Sequence, residues 1–313
     1  MPEAPLRPLT ESEIHEYDTH GVVHVGGLFP EAWVTRMAAA VDCIHAEPTP
    51  MGRAVSDAEQ GFTNDLFVWK SDDDFRDWVY DSPAAQVAQQ VLREERIRHF
   101  YDQLFVKPPG CHVPTPWHHD VTFWPVDIES RNLCSIWITF DPISRATSGL
   151  EFVRGSHRWP ERYKAITPTF DPYMMDSGFA DPPDIDGHRD DYDLFCPDMA
   201  PGDCLIFDAH VVHGSSANTS TDSPRRAFAT RWMGEGTVYD PRHATMPLLW
   251  SHGLEAGDAL AGSLFPQVLP EVIPGECPRY EGSIEGPDPV LVQSFLERAR
   301  VSLPSLELTK EKS

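Results

Sequence analysis

Six consecutive residues, 115–120, carry the side chains best suited to metal chemistry and read TPWHHD. In a β-strand, residues i and i+2 lie on the same face. A strand over Trp117–Asp120 therefore directs His118 and Asp120 one way and His119 the other. An imidazole beside a carboxylate supplies two of the three ligands of a 2-His-1-carboxylate facial triad, which leaves coordination positions open and is typical of non-haem Fe(II) oxygenases.

The missing histidine has to come from a distant part of the chain, and His213 fits best. It follows a Pro-Gly-Asp turn at 201–203 and a predicted strand, Cys204–Phe207. It ends a second predicted β segment, Val211–His213, so only a folded sheet brings it to the first motif. His210 is a competitor, and the three-residue spacing places the two histidines on opposite sides of a strand.

An arginine pattern follows in residues 224–232, which read PRRAFATRW. In a strand, Arg225 and Arg231 share one face and Arg226 lies on the other. A guanidinium soon after the distal histidine is suited to a bidentate pair with a small dicarboxylate.

The composition limits the classes of partner. The 313 residues contain 25 Lys and Arg against 49 Asp and Glu, a net charge of -24. So acidic a surface repels phosphate backbones and anionic membranes, and we expect neither nucleic acid nor a membrane as partner. No apolar run approaches the roughly 20 residues of a membrane span. The N-terminus shows no signal-peptide pattern and six scattered cysteines form no CxxC pair, so a cytoplasmic location is expected.

The elements that have to position these residues are mainly strands. About eight β segments separated by turn signals predict a mainly β fold with flanking helices, either a barrel or a double-sheet jelly roll. The predicted strands before the lid-like insert are Val22–Val25, Phe100–Val106, Trp117–Asp120, Leu133–Phe140 and Gly149–Val153. Those after it are Tyr192–Phe195, Cys204–Phe207, Val211–His213 and Phe228–Met233.

We interpret residues 1–313 as a single domain with a core at about 98–235. A helical lead-in covers 8–96: one helix begins near Thr10 and ends at Gly21, a second begins at Pro30, and a third spans 82–96. Residues 46–75 are predicted to be loop-like. Residues 158–192 form a lid-like insert. A C-terminal extension, 236–313, is loop-rich over 235–289, then helical over Val290–Arg300, and ends in a frayed tail.

The order of the motifs resembles the phytanoyl-CoA dioxygenase family of Fe(II)- and 2-oxoglutarate-dependent oxygenases. The resemblance covers roughly residues 8–235 and implies a cupin-like double-stranded β-helix. The motifs that carry it are HxD at 118–120, GSHRW at 155–159, PGDCLIF followed by HGS at 201–215, and RRAFATRW at 225–232.

By this resemblance, His118, Asp120 and His213 are the expected iron ligands. Arg225 is the residue expected to hold the distal carboxylate of 2-oxoglutarate. The resemblance further implies that Gln103, Thr115 and Trp137 line or hold this cosubstrate. One departure is Thr147-Ser148-Gly149, which stands where many members carry Asn-Gly and is interpreted as a tolerated turn.

The resemblance also implies the reaction class. Relatives that halogenate carry a small residue at the position of Asp120, so a carboxylate there favours hydroxylation or another oxidation. The expected enzyme consumes O2 and 2-oxoglutarate, releases succinate and CO2, and hydroxylates a small molecule. The few basic residues argue against a CoA-linked substrate, although Arg154, Arg158 and Arg162 are candidates for a local phosphate-binding patch.

Two alternatives remain open at this point. The first is a cupin-like protein that binds a metal or ligand without catalysis, and the second is hydrolysis at a zinc-substituted site. Neither the oligomeric state nor the identity of the substrate is indicated by the sequence.

Overall fold

A computed structural model describes residues 2–164, 177–270 and 287–293. Within these residues the chain forms two antiparallel sheets. The strands of the first half are β1 (Val22–Val25), β2 (Thr63–Leu66), β3 (Ile97–Lys107), β4 (Thr115–His118), β5 (Leu133–Thr139) and β6 (Leu150–Val153). Those of the second half are β7 (Leu194–Phe195), β8 (Cys204–Asp208), β9 (His213–Ser215), β10 (Arg225–Met233) and β11 (Gln267–Leu269).

The larger sheet has seven strands and the smaller sheet has four. The order in the larger sheet is β1-β8-β5-β10-β3-β11, with β2 also paired to β3, and the order in the smaller sheet is β4-β9-β6-β7. Side chains of the two sheets meet between them, as where the ring centroids of Phe207 on β8 and Phe152 on β6 lie 5.1 Å apart. This arrangement confirms the predicted mainly β fold built from two packed sheets.

The helices are α1 (Glu11–His20), α2 (Glu31–Ala46), α3 (Pro50–Val55), α4 (Asp73–Asp81) and α5 (Ala84–Leu92). All except α3, which packs beside β2, contribute to the core on the outer face of the larger sheet. On β10, Phe228 and Trp232 belong to the core shared with the helices, whereas Ala227 and Ala229 belong to the apolar cluster between the sheets. The period of two along the strand thus separates a helix-facing side from an inward side.

Local signals explain how α1 begins and ends. Thr10 and Glu13 form a capping box, in which each side chain bonds to the backbone N–H of the other residue. Gly21 ends the helix with φ 75°, the left-handed conformation that favours glycine. A Cβ at Gly21 would also lie 2.5 Å from the His157 ring, so the site excludes any larger residue. Both predicted ends of this helix are confirmed.

The loop-like prediction for residues 46–75 is wrong. The segment contains α3, β2 and a 3-10 helix at Val68–Lys70. Thr49 caps α3 through a hydrogen bond to the Gly52 N–H, and Pro50 occupies the first helical turn, where it is tolerated. The polar sequence of β2 hid a strand, because β2 pairs only with β3 and forms an edge of the sheet.

Other predicted boundaries shift. The helix predicted over 82–96 is shorter and corresponds to α5, which ends where Arg93 turns left-handed at φ 57°, and α4 precedes it. The lid-like insert predicted at 158–192 contains a 3-10 helix at Asp186–Asp191, and its residues 165–176 lie outside the described residues. Residues 289–293 are helical, in agreement with the start of the predicted C-terminal helix. Residues 294–300 and the predicted tail at 309–313 lie outside the described residues.

The lead-in and the C-terminal extension both contribute to the larger sheet, through β1, β2 and β11. The domain limits given above remain a prediction. None of the helices formed by residues 2–164, 177–270 and 287–293 combines the length and the apolar character that a membrane crossing requires.

The packing between helices and sheet leads to a first prediction, centred on Trp78. This fully buried side chain contacts Phe29, Trp33 and Phe228, with ring centroids 5.1, 5.7 and 6.0 Å away. We expect Trp78→Ala to lower the free energy of unfolding by about 3–5 kcal/mol, because it leaves a large cavity. Urea denaturation followed by circular dichroism measures this. The control is Leu6→Ala at a side chain that is 64% exposed, and equal stability of the two variants would contradict the packing argument.

Candidate metal centre

Three side chains converge between the sheets. One ligand atom from each of His118, Asp120 and His213 lies within 4.8 Å of the other two, and no other group of three His, Cys, Asp or Glu side chains meets this criterion in the described part of the chain. The pairing of β4 with β9 places His118 directly opposite His213. The centroids of the two imidazole rings are 4.3 Å apart.

Asp120 reaches the cluster from a turn rather than from a strand. The predicted strand Trp117–Asp120 is wrong at its end, because β4 stops at His118 and Asp120 begins a 3-10 helix, Asp120–Thr122. His119 keeps an extended conformation, with φ -122° and ψ 144°, so Asp120 still returns to the side of His118. Its Oδ1 lies 3.6 Å from His118 Nε2.

His213 opens β9 instead of closing a strand. The predicted segment Val211–His213 is therefore wrong, and the residues before His213 belong to a turn in which the Val211 N–H donates to the Asp208 carbonyl at 3.1 Å. The next residue, Gly214, is a glycine for a steric reason. A Cβ there would lie 2.9 Å from the Thr115 carbonyl oxygen, so glycine permits the close approach of β4 and β9.

Backbone carbonyls fix the orientation of both imidazoles. His118 Nδ1 lies 2.8 Å from the Pro116 carbonyl, and His213 Nδ1 lies 3.1 Å from the Val211 carbonyl. A carbonyl only accepts, so each Nδ1 carries the proton and each Nε2 keeps a lone pair for a metal. Ser135 Oγ lies 3.4 Å from Asp120 Oδ2 and holds the carboxylate from the other side.

The electrostatics of the cluster favour the protonation states that bind cations. Burial alone would raise the pKa of Asp120, but the adjacent His118 and His213 lower it well below its usual value. Burial, with His118 nearby, lowers the pKa of His213 to about 4. Near neutral pH the carboxylate is thus ionised and the His213 imidazole is neutral, as metal ligands must be. The donor set therefore fits a divalent metal ion.

Two other histidines near the motifs have different partners. His119 is buried on the opposite side, where its Nε2 accepts a hydrogen bond from the Tyr163 N–H at 2.9 Å. His210 contacts Asp208 and the Ile128 carbonyl, at 3.0 and 2.9 Å. Neither belongs to the cluster. The contact with Tyr163 shows instead that His119 links the segment between β4 and Asp120 to the insert.

Arg225 lies at one end of the inward face of β10 and is 1% exposed. Its Nε donates to the Ser148 carbonyl at 3.2 Å, and its Nη2 lies 3.5 Å from the hydroxyls of Ser148 and Ser215. Burial lowers the pKa of Arg225 to about 10, which leaves it charged near neutral pH. All these hydrogen-bond partners are uncharged, so the guanidinium charge has no acidic side chain to balance it within the described residues.

The other three predicted cosubstrate positions surround this region. Gln103 on β3 and Trp137 on β5 both face Ala229 of β10 in the sheet register. The Trp137 ring centroid lies 5.5 Å from the Arg225 guanidinium carbon. Thr115 stands opposite Ser215, the residue two positions after His213.

The remaining arginines of β10 divide as their spacing predicts. Arg226 points away from the site and pairs with Asp141 and Asp42, at 2.7 and 2.8 Å. Arg231 shares the inward face with Arg225 and is 4% exposed. It donates to Gln103 Oε1 at 2.9 Å and lies 4.6 Å from the Tyr101 ring centroid.

Two cations of the inner face were missed by the sequence analysis as possible site residues. Lys107 lies directly opposite Arg225 in the sheet. For Arg231 the sequence predicted only that it shares a strand face with Arg225, and no role in the site. A signal for Lys107 existed, because Gln103 and Lys107 are four residues apart and a strand places both on one side. The Lys-Pro-Pro sequence at 107–109 is typical of a strand end, and a residue at a strand end is not expected to be buried.

Part of the C-terminal extension packs along the segment that follows Asp120. Val126 and Tyr239 form a β-bridge, and the Met246 N–H donates to the Phe123 carbonyl at 2.7 Å. Arg242 Nη2 donates to the carbonyls of Val121 and Trp124, at 3.2 and 3.0 Å. This guanidinium therefore fixes the turn that presents Asp120, a role that the sequence did not reveal.

A cavity of about 400 Å³ adjoins the same stretch. Its lining comes mainly from the extension and includes Tyr239, Arg242, Met246, Trp250 and His252. The extension thus builds a concave, partly aromatic surface beside the segment that leads away from the metal centre.

Comparison with known proteins identifies a family and relatives that this chain resembles. The family model described as phytanoyl-CoA dioxygenase (PhyH) matches residues 17–227. A curated relative, the 1-deoxypentalenic acid 11-beta-hydroxylase of Streptomyces arenae, is 32% identical over 108 residues. That match covers 34% of this chain and only 36% of the relative's length.

Solved structures share the fold at low sequence identity. The non-heme alpha ketoglutarate dependent carbocyclase SnoK from nogalamycin biosynthesis has a TM-score of 0.66 at 23% identity, covering 86% of this chain and 99% of that one. The epimerase SnoN, crystallised with Fe3+, alpha ketoglutarate and nogalamycin RO, has a TM-score of 0.66 at 20% identity, with coverages of 82% and 98%. EctD from S. alaskensis, with 2-oxoglutarate and 5-hydroxyectoine, gives 0.62 at 17%, with coverages of 76% and 80%. These likenesses confirm the cupin-like fold predicted from the motifs.

The cluster yields a prediction for metal binding. We expect His118→Ala, Asp120→Ala and His213→Ala each to weaken binding of Co(II) by more than about 100-fold, because each removes one of three ligands. Titration of Co(II) absorption in the visible range measures the affinity. His112→Ala, at an exposed histidine, is the matched control. Retention of native affinity by any of the three variants would contradict its place in the centre.

The contacts of Arg242 yield a second prediction. We expect Arg242→Ala to weaken Co(II) binding by about 10-fold, as losses of groups that orient metal ligands do, because the carbonyls of Val121 and Trp124 lose their donor. Arg53→Ala, at an exposed arginine, is the control and is expected to bind as the native protein does. Unchanged affinity in a folded Arg242→Ala protein would show that the turn holds Asp120 without the extension.

Proposed function

The chain belongs to the phytanoyl-CoA dioxygenase family, and on that premise we propose that it is an Fe(II)- and 2-oxoglutarate-dependent dioxygenase that hydroxylates a small molecule. The observation that carries the proposal is the cluster of His118, Asp120 and His213 together with the buried Arg225, which contacts Ser215 two residues after His213 and has no acidic partner in the described part of the chain. The first three suit the iron ion, and the fourth suits an anionic cosubstrate.

We propose His118, Asp120 and His213 as the iron ligands. Two imidazole nitrogens and one carboxylate form the facial set that leaves positions open for a chelating cosubstrate and oxygen. When bound, Fe(II) and 2-oxoglutarate supply oxygen activation, in which one oxygen atom of O2 enters succinate as CO2 is lost and the other enters a C–H bond of the substrate. The carbonyls of Pro116 and Val211 keep both imidazoles in the tautomer that leaves Nε2 free.

In the same proposal, Arg225 holds the distal carboxylate of 2-oxoglutarate. Arg225 is shielded from solvent, and Trp137 and Phe105 flank its guanidinium at 5.5 and 5.9 Å. An ion pair in such surroundings is strong, since little water screens it. Gln103, Thr115 and Trp137 line the space between this pocket and the iron ligands.

We propose a natural product or metabolite without CoA as the substrate. The relatives support the class, because the names of the matched proteins include a hydroxylase, a carbocyclase and an epimerase. The basic patch that could hold CoA phosphates is occupied by internal contacts. Arg154 stacks on the Phe195 ring at 4.2 Å, Arg158 donates to the Thr19 carbonyl at 2.5 Å, and Arg162 pairs with Glu129 at 3.1 Å.

The proposal extends to partners and location. O2 and a small molecule are the partners, without nucleic acid or membrane, and the acidic net charge supports this. A cytoplasmic location is supported by the five cysteines of the described residues, none of which forms a disulfide.

The test is succinate formation. Protein loaded anaerobically with Fe(II) is mixed with 2-oxoglutarate and O2, first alone and then with a panel of candidate substrates. We expect slow turnover that His118→Ala abolishes and that the true substrate accelerates. We also expect Arg225→Met to raise the KM for 2-oxoglutarate by about 30-fold or more, because a buried charge pair loses one partner.

The alternatives predict other results. A non-catalytic cupin-like protein binds metal without forming succinate from any candidate. A zinc hydrolase works without 2-oxoglutarate and is indifferent to Arg225→Met. Either result would overturn the proposed dioxygenase activity.

A further inference from the structure

Lys107 is a second buried basic side chain beside Arg225. It is the last residue of β3, it stands directly opposite Arg225 in the register, and it is fully buried. Its ammonium nitrogen donates to the hydroxyls of Ser148 and Ser215, each at 3.0 Å, and lies 3.4 Å from the Ser216 carbonyl. Lys107 and Arg225 thus converge on the same two hydroxyls.

No carboxylate balances this pair within the described residues. Every hydrogen-bond partner of the two side chains is a hydroxyl or a carbonyl oxygen. Two basic groups side by side in a buried site disfavour each other's charged form, and a buried charge without a partner is unfavourable. An anion bound between the two side chains would make the charged form of both favourable.

The pocket is aligned with the metal centre. Ser215 lies two residues after His213 on β9, a spacing of about 6.6 Å along a strand, and strand alternation puts both side chains on one face. A diacid bound to the metal through one end would therefore extend along β9 toward Ser215.

Ser148 occupies this pocket through an unusual conformation. Its φ is 68°, in the left-handed region that few residues other than glycine adopt, and its side chain is fully buried. Its Oγ accepts from Lys107 and donates to the Ser216 carbonyl at 2.5 Å, so the hydroxyl is fixed. This residue belongs to the Thr-Ser-Gly departure noted in the sequence, which therefore supplies a hydroxyl to the pocket.

We propose that Lys107 determines specificity for a dicarboxylate cosubstrate, by donating with Arg225, Ser148 and Ser215 to its distal carboxylate. This inference rests on the proposed dioxygenase function. It adds Lys107 and Ser148 to Arg225 as residues that bind the carboxylate. Lys107 acts on binding and selectivity and does not contact the metal ligands.

The charge state of Lys107 provides an independent signature. Burial and the nearby Arg225 lower the pKa of Lys107 to about 6, against a smaller opposite effect of Cys111. A carboxylate bound at the ammonium group raises this pKa again. At a pH between the pKa of Lys107 in the free protein and its pKa in the complex, binding of the diacid is accompanied by proton uptake. The groups that face Lys107 are Arg225 from β10, the Cys111 thiol, the Phe62 ring and the hydroxyls of Ser148 and Ser215.

The experiment compares two keto acids by calorimetry on protein loaded with Mn(II). 2-Oxoglutarate carries the distal carboxylate, and 2-oxobutyrate has the same keto-acid end without it. We expect Lys107→Met to raise the dissociation constant of 2-oxoglutarate by about 10-fold or more and to leave that of 2-oxobutyrate unchanged. Lys70→Met, at a lysine that lies over the Trp69 ring at 5.1 Å, is the matched control.

A second measurement uses the native protein and does not depend on the folding of a variant. Titrations at pH 7.5 in buffers of different ionisation enthalpy give the number of protons taken up. We expect about one proton more for 2-oxoglutarate than for 2-oxobutyrate, because only the diacid reaches Lys107.

Three results would overturn the inference. Equal proton uptake for the two acids would do so, as would an unchanged dissociation constant of 2-oxoglutarate in Lys107→Met. Equal weakening of both acids in that variant would show a merely structural role. In each case the proposed function still stands if the native protein binds 2-oxoglutarate more tightly than 2-oxobutyrate. If native, Mn(II)-loaded protein does not bind 2-oxoglutarate, the proposed function itself fails.

Discussion

The pairing of β4 with β9 is the interaction on which the centre depends. These are short strands at one edge of the smaller sheet, and their register sets His118 opposite His213. A one-residue slip would turn one imidazole to the other face of the sheet. Gly214 permits the close approach, and the turn at Asp120 adds the third side chain. The larger sheet then supplies the cations and aromatic rings that surround the cluster.

The larger sheet can carry charges on its inward side because its outward side is packed independently. Alternate residues of β10 contact the helices, so part of the apolar core that stabilises the sheet lies on the side away from the metal centre. Arg225 and Arg231 stand at the two ends of the inward face, with Ala227 and Ala229 between them. The inward face of β10 thus combines small apolar side chains in the middle with arginines at its ends.

The motifs predicted the chemistry of the centre better than its backbone. His118, Asp120, His213 and Arg225 were identified from residue types, order and family resemblance, and the structure brings them to one cavity. The strand at Asp120 was wrong because a turn and a strand end give the same i, i+2 proximity over three residues. The roles of Lys107 and Arg242 could not be found in the same way. The strand period only places Lys107 on the inward face, and the hydroxyls and carbonyls that give the two side chains their roles come from distant segments, so these contacts leave no local pattern.

The buried cations also bear on the stability of the protein. Lys107 and Arg225 lose hydration on folding and gain only uncharged partners, so they oppose the folded state. The helix-facing core has to offset that penalty. A diacid that binds the folded pocket and not the unfolded chain adds stability by mass action, about 2.7 kcal/mol at 100 times its dissociation constant. Occupancy of the pocket and integrity of the fold are therefore linked, and the same two buried basic side chains that select the ligand make the empty protein less stable.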